Sequence, residues 1–443
     1  MADIIRNCIM NKISKLYFVI LIIVIPIPLY AYLDPGTGSM LFSAFIGIIG
    51  TVFFLAKGLF SKIVNLPSFI RGKTQNRGSS YDIVFYSEGA QYWPVFKPVI
   101  EQLEKRGIEA HYFTSGDNDP ALKMNYKYIK SRHIGKGNKA YFVMNTLEAD
   151  VVVMTTPGLD VLQLKRSRGV KHYCHITHSA AGCSGYSTYG LDYYDSVLVG
   201  GIEDKQVIEE LESKRNIRKK KVEVIGCSYL DTYRDKLEHI KKNGGPEFFR
   251  NDLKTVLISP TWGETSLLYK HGEELIKTLI NSGKYNIIVR PHPQSFISDT
   301  RLINRLSDKF PDNDRLVWNR DSENLPVLRQ SDIMVSDFSG IIFDYVFLFE
   351  RPVLTFAGAY DKRCKDDMDC AREPWVLTVL EDIGRTLRPE DVSNICPIID
   401  ATIESDVLNT AKIRKFRSDM DAFPGEAGQR AADILIEIKK SVK

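Results

Sequence analysis

The sequence predicts an α/β protein with two doubly wound domains, and three observations predict this fold. Short runs of β-branched and aliphatic residues alternate with helical stretches along the chain beyond residue 80. Several runs, such as DVVVM at 150–154, are almost wholly apolar, which is typical of parallel strands covered by helices on both faces. The predicted strands are too many for one sheet, so we expect two sheets, divided in the polar stretch near 236–254.

The elements follow in order along the chain. We predict strands at 82–86, 150–154, 172–177, 196–199, 222–225, 256–259, 286–289, 332–335 and 352–356. We predict helices at 95–106, 204–213, 272–281, 340–349 and 427–440. These elements place a first Rossmann-type domain at 81–240 and a second at 241–443.

Composition excludes several classes of protein. The chain has 443 residues, of which 44% are hydrophobic and 26% charged, so it is neither of low complexity nor disordered throughout. A net charge of +4 is too small to indicate nucleic acid, and we expect no nucleic-acid partner. The seven cysteines are scattered without a C-x-x-C pair, which favours buried thiols in a reducing compartment over zinc or redox chemistry.

Two apolar segments near the N-terminus predict a membrane anchor at residues 1–60. Residues 16–33 and 40–56 carry no charge, and each is near the length that crosses a bilayer core, about 17–25 residues. Basic residues flank the pair, and only Asp34 lies between them, so the positive-inside rule predicts a hairpin with cytoplasmic ends. A signal peptide cleaved near Ala31 and a shallow re-entrant hairpin are the alternatives. Through a basic linker at 61–80, the hairpin and the cleaved signal both leave the remaining chain at the cytoplasmic face of the inner membrane.

The strongest candidate site follows the predicted strand at 332–335, where SDFSG (336–340) leads into an apolar helix. In open α/β sheets, ligands bind beyond the carboxyl ends of strands, where helix N-termini offer free N–H groups. Ser339 is placed to cap this helix, and Gly340 lets a ligand approach the backbone. The hydroxyls of Ser336 and Ser339 with these amides predict a phosphate cradle, and plain capping is the alternative. Asp337 either fixes the loop or contacts a ribose.

Two other strands of the predicted second sheet end at the same edge, and the residues after them would face the same ligand-binding crevice. Arg290 and His292 follow the strand at 286–289 within R-P-H-P, where the prolines restrict the backbone and fix the direction of the histidine. Both side chains can neutralise charge on a phosphate leaving group. Thr261 follows the strand at 256–259, and the adjacent Trp262 either faces the cleft or enters the core.

A histidine of the first domain completes the set of candidate site residues. His178 leaves the strand at 172–177 and enters a loop of small residues, where a base can meet an acceptor hydroxyl. His175 lies three residues earlier and deeper in the strand, so we expect it to pack in the core or to support His178 from behind.

Together these segments resemble the CDP-glycerol glycerophosphotransferase family, membrane-associated enzymes that build teichoic-acid-type polymers. The resemblance covers most of the chain beyond residue 80 and is densest from PTW at 260–262, through R-P-H-P, to SDFSGIIFDYVFLFERPVLTF at 336–356. It implies a GT-B-like architecture, in which two Rossmann-type domains face a cleft, the first for the acceptor and the second for the nucleotide donor. The chain departs from the family pattern H-G-x-P-L-K at 178–183 (HSAAGC), which points to a divergent branch that makes a capsule or another surface glycan.

The resemblance also implies roles for individual residues. His178 corresponds to the catalytic general base, His292 to the histidine that stabilises the pyrophosphate, and Ser336 and Ser339 to the hydroxyls that hold donor phosphates. We expect four more residues to complete the donor site: Thr261, Arg290, Asp337 and Gly340.

The predicted reaction is the transfer of an alditol phosphate. The acceptor hydroxyl, on a lipid-linked or polymeric glycan at the membrane, loses its proton to His178 and attacks the phosphorus nearest the alditol of a CDP-linked donor, and CMP leaves. We expect no cofactor and no metal ion, because none of these strand ends carries an Asp-x-Asp or histidine cluster. The alternatives are a GT-B glycosyltransferase that uses a nucleotide sugar, a nucleotide-sugar epimerase and a catalytically inactive membrane scaffold.

Overall fold

The structure is a computed structural model that describes residues 81–443 except 184, 322, 357–364, 372 and 405–409. The predicted membrane hairpin at 1–60 and the basic linker at 61–80 lie outside the described residues. Within the described part, no helix combines the length and the apolar character that a bilayer crossing requires.

The first sheet contains seven parallel strands within the described residues, in the order β3-β2-β1-β4-β5-β6-β7. Its strands are β1 (Tyr81–Ser87), β2 (Ala110–Thr114), β3 (Ile129–His133), β4 (Glu148–Met154), β5 (Gly169–Ile176), β6 (Ser196–Val199) and β7 (Lys221–Val224). The order reverses between β1 and β4, which is the point where doubly wound folds bind ligands.

The second sheet repeats this arrangement with six parallel strands among the described residues, in the order β10-β9-β8-β11-β12-β13. Its strands are β8 (Lys254–Ile258), β9 (Tyr285–Val289), β10 (Leu316–Trp318), β11 (Ile333–Ser336), β12 (Val353–Phe356) and β13 (Gly384–Leu387). Its reversal lies between β8 and β11. The two doubly wound sheets that the sequence predicts are confirmed.

Helices connect the strands and cover the sheets. The described α-helices are α1 (Trp93–Lys105), α2 (Asn138–Asn145), α3 (Ile202–Arg215), α4 (Ser228–Asn243), α5 (Leu267–Ser282), α6 (Ser295–Ser298), α7 (Thr300–Lys309), α8 (Leu325–Gln330), α9 (Ile341–Phe349), α10 (Trp375–Thr378), α11 (Ile395–Glu404), α12 (Thr410–Met420) and α13 (Ala427–Ser441). Short 3-10 helices lie at Ala90–Tyr92, Pro120–Lys123, Asp366–Asp369 and Pro389–Asn394.

Apolar residues on both faces of each sheet explain why its central strands are apolar without alternation. In β1, Phe85 belongs to the cluster beneath α1 and α13, whereas Val84 belongs to the cluster on the opposite face. In β8, Ile258 and Leu257 divide between two clusters in the same way. Strands covered on both faces need apolar side chains at successive positions.

The last helix returns to the first sheet. Ala431 and Leu435 of α13 join the core cluster of β1 and β4. Gly428 permits the close approach of α13 to α1, because a Cβ there would lie 2.6 Å from the backbone of Pro98. The chain therefore runs from the first sheet to the second through α4 and ends against the first.

Candidate active site

The predicted site residues follow strands of both sheets at their carboxyl ends. His178 follows β5, Thr261 follows β8, Arg290 and His292 follow β9, and the SDFSG segment includes the last residue of β11. The loops of the two sheets meet here, since the Oγ of Ser179 lies 3.8 Å from the position that a Cβ would take on Gly340. The loop of His178 therefore lies close to the start of α9.

His178 is held by its Nδ1 atom. This atom lies 3.1 Å from the carbonyl oxygen of Thr155 and 3.0 Å from the hydroxyl of Tyr186. We assign the proton to Nδ1, because a carbonyl oxygen can only accept, and this leaves a lone pair on Nε2. Burial lowers the pKa of His178 to about 4, so the ring is neutral at pH 7. A neutral imidazole with Nε2 unprotonated is able to act as a general base.

Tyr186 connects His178 to His175. The rings of Tyr186 and His178 are stacked with centroids 5.2 Å apart and an interplanar angle of 17°. The Tyr186 hydroxyl also lies 3.4 Å from Nε2 of His175, which is fully buried. Burial lowers the pKa of His175 well below its usual value, so this ring is a neutral partner behind the base, as the sequence predicts.

His292 has the opposite tautomer. The backbone N–H of Gln294 donates to its Nδ1 over 3.1 Å, so the ring proton lies on Nε2. Burial and the neighbouring Arg290 cation lower the pKa of His292, which keeps the ring neutral. Nε2 of His292 is therefore a hydrogen-bond donor, whereas Nε2 of His178 is an acceptor.

Arg290 is buried and largely engaged within the protein. Its Nη1 donates to the side chain of Asn319 and, over 2.9 Å, to the carbonyl oxygen of Asp321. Burial lowers the pKa of the guanidinium, and the nearby Tyr233 and Asp321 oppose this effect. Arg290 thus fixes the loop after β10, and its remaining N–H groups are the ones that can face a ligand.

Two of the predicted donor-site residues hold a loop in place. The buried hydroxyl of Ser336 donates to the carbonyl oxygen of Ser259 over 2.7 Å. Asp337 accepts the backbone N–H of Thr261 at 2.6 Å and that of Leu267 at 2.7 Å. Burial raises the pKa of Asp337, and these bonds to its charged form oppose the shift. Of the two roles that the sequence left open for Asp337, the structure places it in loop fixation.

Ser339 and Gly340 remain at the open start of α9. The prediction that Ser339 caps this helix is wrong: the N-cap residue is Gly340, and no side chain caps the helix. Ser339 is half-buried and Gly340 exposed, and the N–H groups of Ile342 and Phe343 donate to the carbonyl oxygens of Ser339 and Gly340 over 3.2 Å. The Ser339 hydroxyl and the N–H groups of Gly340 and Ile341 are the donors that this helix start can offer to an anion.

The β8–α5 loop, with Thr261 and Trp262, borders this position. Thr261 is half-buried, and its N–H is held by Asp337. Trp262 is 46% exposed, so its alternative placement in the core is wrong. Gly263, at φ +90°, continues the loop in a conformation that favours glycine.

Sequence reasoning missed the residues that surround His178. Thr155 and Tyr186 carry no pattern that marks them, because their roles arise from the packing of β4 and of the loop after β5. Glu88 was detectable, since it follows the predicted strand at 82–86 directly after Ser87. Burial raises the pKa of its carboxyl, and the nearby Thr156 hydroxyl opposes this shift. Among the described residues, no group of three or more His, Cys, Asp or Glu side chains is arranged to hold a metal ion.

Two parallel doubly wound sheets with polar loops at their carboxyl ends define a GT-B-like fold, in which ligands bind at those strand ends. The family model for CDP-glycerol:poly(glycerophosphate) glycerophosphotransferase matches residues 77–367. The chain belongs to this family, which confirms the predicted resemblance and the predicted enzyme class, a CDP-glycerol glycerophosphotransferase. No curated protein matches the chain.

Solved structures share the fold. A variant of the wall teichoic acid polymerase TagF, soaked for 15 minutes with CDPG, has 17% identity and a TM-score of 0.52, and the match covers 86% of this chain and 97% of that one. UDP-GlcNAc 2-epimerase from Methanocaldococcus jannaschii, in complex with UDP-GlcNAc and UDP, has 15% identity and a TM-score of 0.54 over 80% and 99% of the two chains. At these identities the likeness shows the fold alone.

Proposed function

We propose that this protein is a membrane-anchored transferase that moves glycerol phosphate, or a related alditol phosphate, from a CDP-linked donor to a hydroxyl of a lipid-linked or surface-glycan acceptor. The observation that carries the proposal is the pair of neutral histidines with opposite tautomers at the carboxyl ends of the two sheets. One Nε2 is suited to take a proton and the other to donate a hydrogen bond. Family membership supports CDP-glycerol as the donor.

In the proposed reaction, the acceptor hydroxyl transfers its proton to Nε2 of His178. The resulting oxygen nucleophile forms a bond to the phosphorus nearest the alditol, and the bond from that phosphorus to the CMP oxygen breaks. CMP leaves with the bonding electron pair. Its developing charge is stabilised by hydrogen bonds from Nε2–H of His292, the Ser339 hydroxyl and the N–H groups at the start of α9.

The membrane assignment rests on the sequence. The apolar segments 16–33 and 40–56, with basic residues on their outer flanks, support an anchor that leaves both catalytic domains at the cytoplasmic face of the inner membrane. That location suits an acceptor that is itself attached to the membrane.

The direct test measures CMP release by the detergent-solubilised full chain from CDP-glycerol, CDP-ribitol and nucleotide sugars, with membrane lipid extract as acceptor. We expect CMP from a CDP-alditol, and a loss of at least 100-fold in both His178→Ala and His292→Ala. His239→Ala is the matched control, because His239 is exposed on α4. Turnover with nucleotide sugars alone would overturn the proposal in favour of a glycosyltransferase. Binding of CDP-glycerol without CMP release in any protein preparation would overturn it in favour of a scaffold.

A further inference from the structure

A cavity of about 380 Å³ opens at the carboxyl ends of β1, β2 and β3 on the first sheet. This volume falls within the range of small-molecule sites, roughly 300–1,000 Å³. The side chains that decide its chemistry are those of Glu88, Gln91, Ser115, Lys136 and Tyr141. None of them belongs to the donor site described above.

The cavity adjoins the base. Gln91 lines it, and the next residue, Tyr92, packs edge-on against His178 with ring centroids 5.3 Å apart. On the other side, Glu88 lies near Thr156, whose neighbour Thr155 accepts the Nδ1 proton of His178. The ring of Tyr92 thus lies between a molecule in the cavity and His178, the proposed proton acceptor.

Close packing of glycines shapes the wall of the cavity. A Cβ on Gly116 would lie 3.0 Å from Cα of Gly89, so a side chain there would fit only if the loops after β1 and β2 moved slightly apart. Gly137, at φ +55°, turns the loop after β3 toward the same opening. Three neighbouring loops therefore form one concave surface at the sheet edge where this fold binds ligands.

The charges in the cavity favour a neutral ligand. Lys136 is paired with Asp117 at 2.5 Å, and Asp117 also lies 3.3 Å from Nε2 of His133. The cation is thereby compensated by a carboxylate, and Glu88 adds a half-buried carboxyl group to the lining. A carboxylate repels phosphate and accepts hydrogen bonds from hydroxyl groups. Gln91 and Ser115 add neutral donors and acceptors, and Tyr141 adds an aromatic ring.

We propose that this cavity binds the reacting end of the acceptor, and that this end is a neutral polyhydroxylated unit, a sugar or an alditol, rather than a phosphate group. The inference rests on the proposed function for the role of the ligand as acceptor. It implies that the phosphates of a polymeric acceptor lie outside the cavity and that the reacting hydroxyl points past Tyr92 toward His178.

Binding tests the cavity independently of catalysis. Saturation-transfer NMR on the full chain, in a detergent without sugar, would use ribitol, methyl α-glucopyranoside and sn-glycerol 3-phosphate as probes. We expect signals from at least one of the two neutral probes and weaker signals from the phosphate. Glu88→Gln weakens neutral binding about tenfold, because an oxygen that accepts hydrogen bonds from the ligand is replaced by an amide NH₂ group. Glu109→Gln, exposed at the other end of β2, leaves binding unchanged.

Kinetics then connect the cavity to the reaction. With CDP-glycerol as donor, Glu88→Gln should raise KM for the neutral acceptor about tenfold and leave KM for CDP-glycerol within twofold. Glu88→Asp, which keeps the carboxyl group, checks that a loss does not reflect misfolding. Tighter binding of sn-glycerol 3-phosphate than of either neutral probe, or neutral binding unaffected by both Glu88 variants, would overturn the inference. Absence of CMP release by the unmodified protein would instead count against the proposed function, while the NMR result still decides the nature of the cavity.

Discussion

The hydroxyl of Tyr186 lies 3.0 Å from Nδ1 of His178, and the two rings are stacked within 17° of parallel. The tyrosine therefore fixes both the plane of the imidazole and the position of its Nδ1 proton. The same hydroxyl reaches His175, so the base is oriented by a chain of neutral groups rather than by a carboxylate. A neutral partner leaves the pKa of His178 low, at about 4.

Replacing Tyr186 with Phe keeps the stacked ring and removes the hydroxyl. We expect kcat to fall about tenfold, because the Nδ1 proton is held by one acceptor instead of two and the ring orientation is less defined. KM for CDP-glycerol should stay within twofold, since Tyr186 has no place in the donor site. Steady-state CMP release measures both values. Tyr193→Phe, at a 49% exposed position, is the matched control, and a change in KM without a change in kcat would contradict the positioning role.

The pH profile tests the state of the base. Burial lowers the pKa of His178 from 6.5 to about 4, so the lone pair on Nε2 is lost only in strong acid. We expect kcat/KM for CDP-glycerol to show no loss due to His178 between pH 8 and about 5.5, and to decline below that range as the imidazolium forms. CMP release across pH 4.5–8 checks this. An acid limb between pH 6 and 7 that is shifted in Tyr186→Phe would show that His178 titrates near its usual pKa.

We expect the two serines of SDFSG to have different roles, one in donor binding and the other in stability. Ser339→Ala should raise KM for CDP-glycerol about fivefold and leave stability unchanged, because its hydroxyl caps no helix. Ser336→Ala should lower the free energy of unfolding by about 1–3 kcal/mol, because the buried carbonyl of Ser259 loses its partner. Calorimetric binding of CDP-glycerol and chemical denaturation separate the two effects. Equal losses of affinity without loss of stability would place both hydroxyls on the donor.

The central strands were predictable and several outer ones were not. β1, β4, β8 and β11 are apolar on both faces, and this pattern is visible in the sequence. β3 (IKSRH) is an edge strand that buries only Ile129, and β13 (GRTL) is a four-residue edge strand, so neither shows an apolar run. α4 was missed because its second half buries no residue and its charges are typical of a linker.

The site was predictable at the level of motifs. His178 and His292 stand out because they follow apolar strands, and strand ends meet at one edge of a parallel sheet. Their tautomers were not predictable, since Thr155 is brought to His178 by the pairing of β4 with β5. Likewise, Ser336 and Ser339 look alike in sequence, and only the pairing of β11 with β8 turns the first toward Ser259.

The last prediction concerns a buried carboxyl behind the donor site. Asp344 lies in the first turn of α9 and accepts a hydrogen bond of 2.8 Å from the hydroxyl of Tyr229 on α4. Burial raises its pKa from 3.8 to about 7, and the bonds from Tyr229 and Asn324 oppose the shift. The native state therefore retains a proton between about pH 4 and 7 that the unfolded chain has released, so the contribution of Asp344 to stability falls as pH rises through this window.

Asp344→Asn should remove this dependence, because the amide stays neutral and its oxygen still accepts from Tyr229. Relative to the variant, we expect the unmodified protein to lose stability from pH 5 to 7, by at most about 1.4 kcal/mol per pH unit for one proton, and to level off above pH 7. Urea denaturation of both proteins from pH 5 to 8 measures the difference. Asp235→Asn, exposed on α4, is the control, and parallel curves for Asp344→Asn and the unmodified protein would mean that Asp344 is ionised throughout this range.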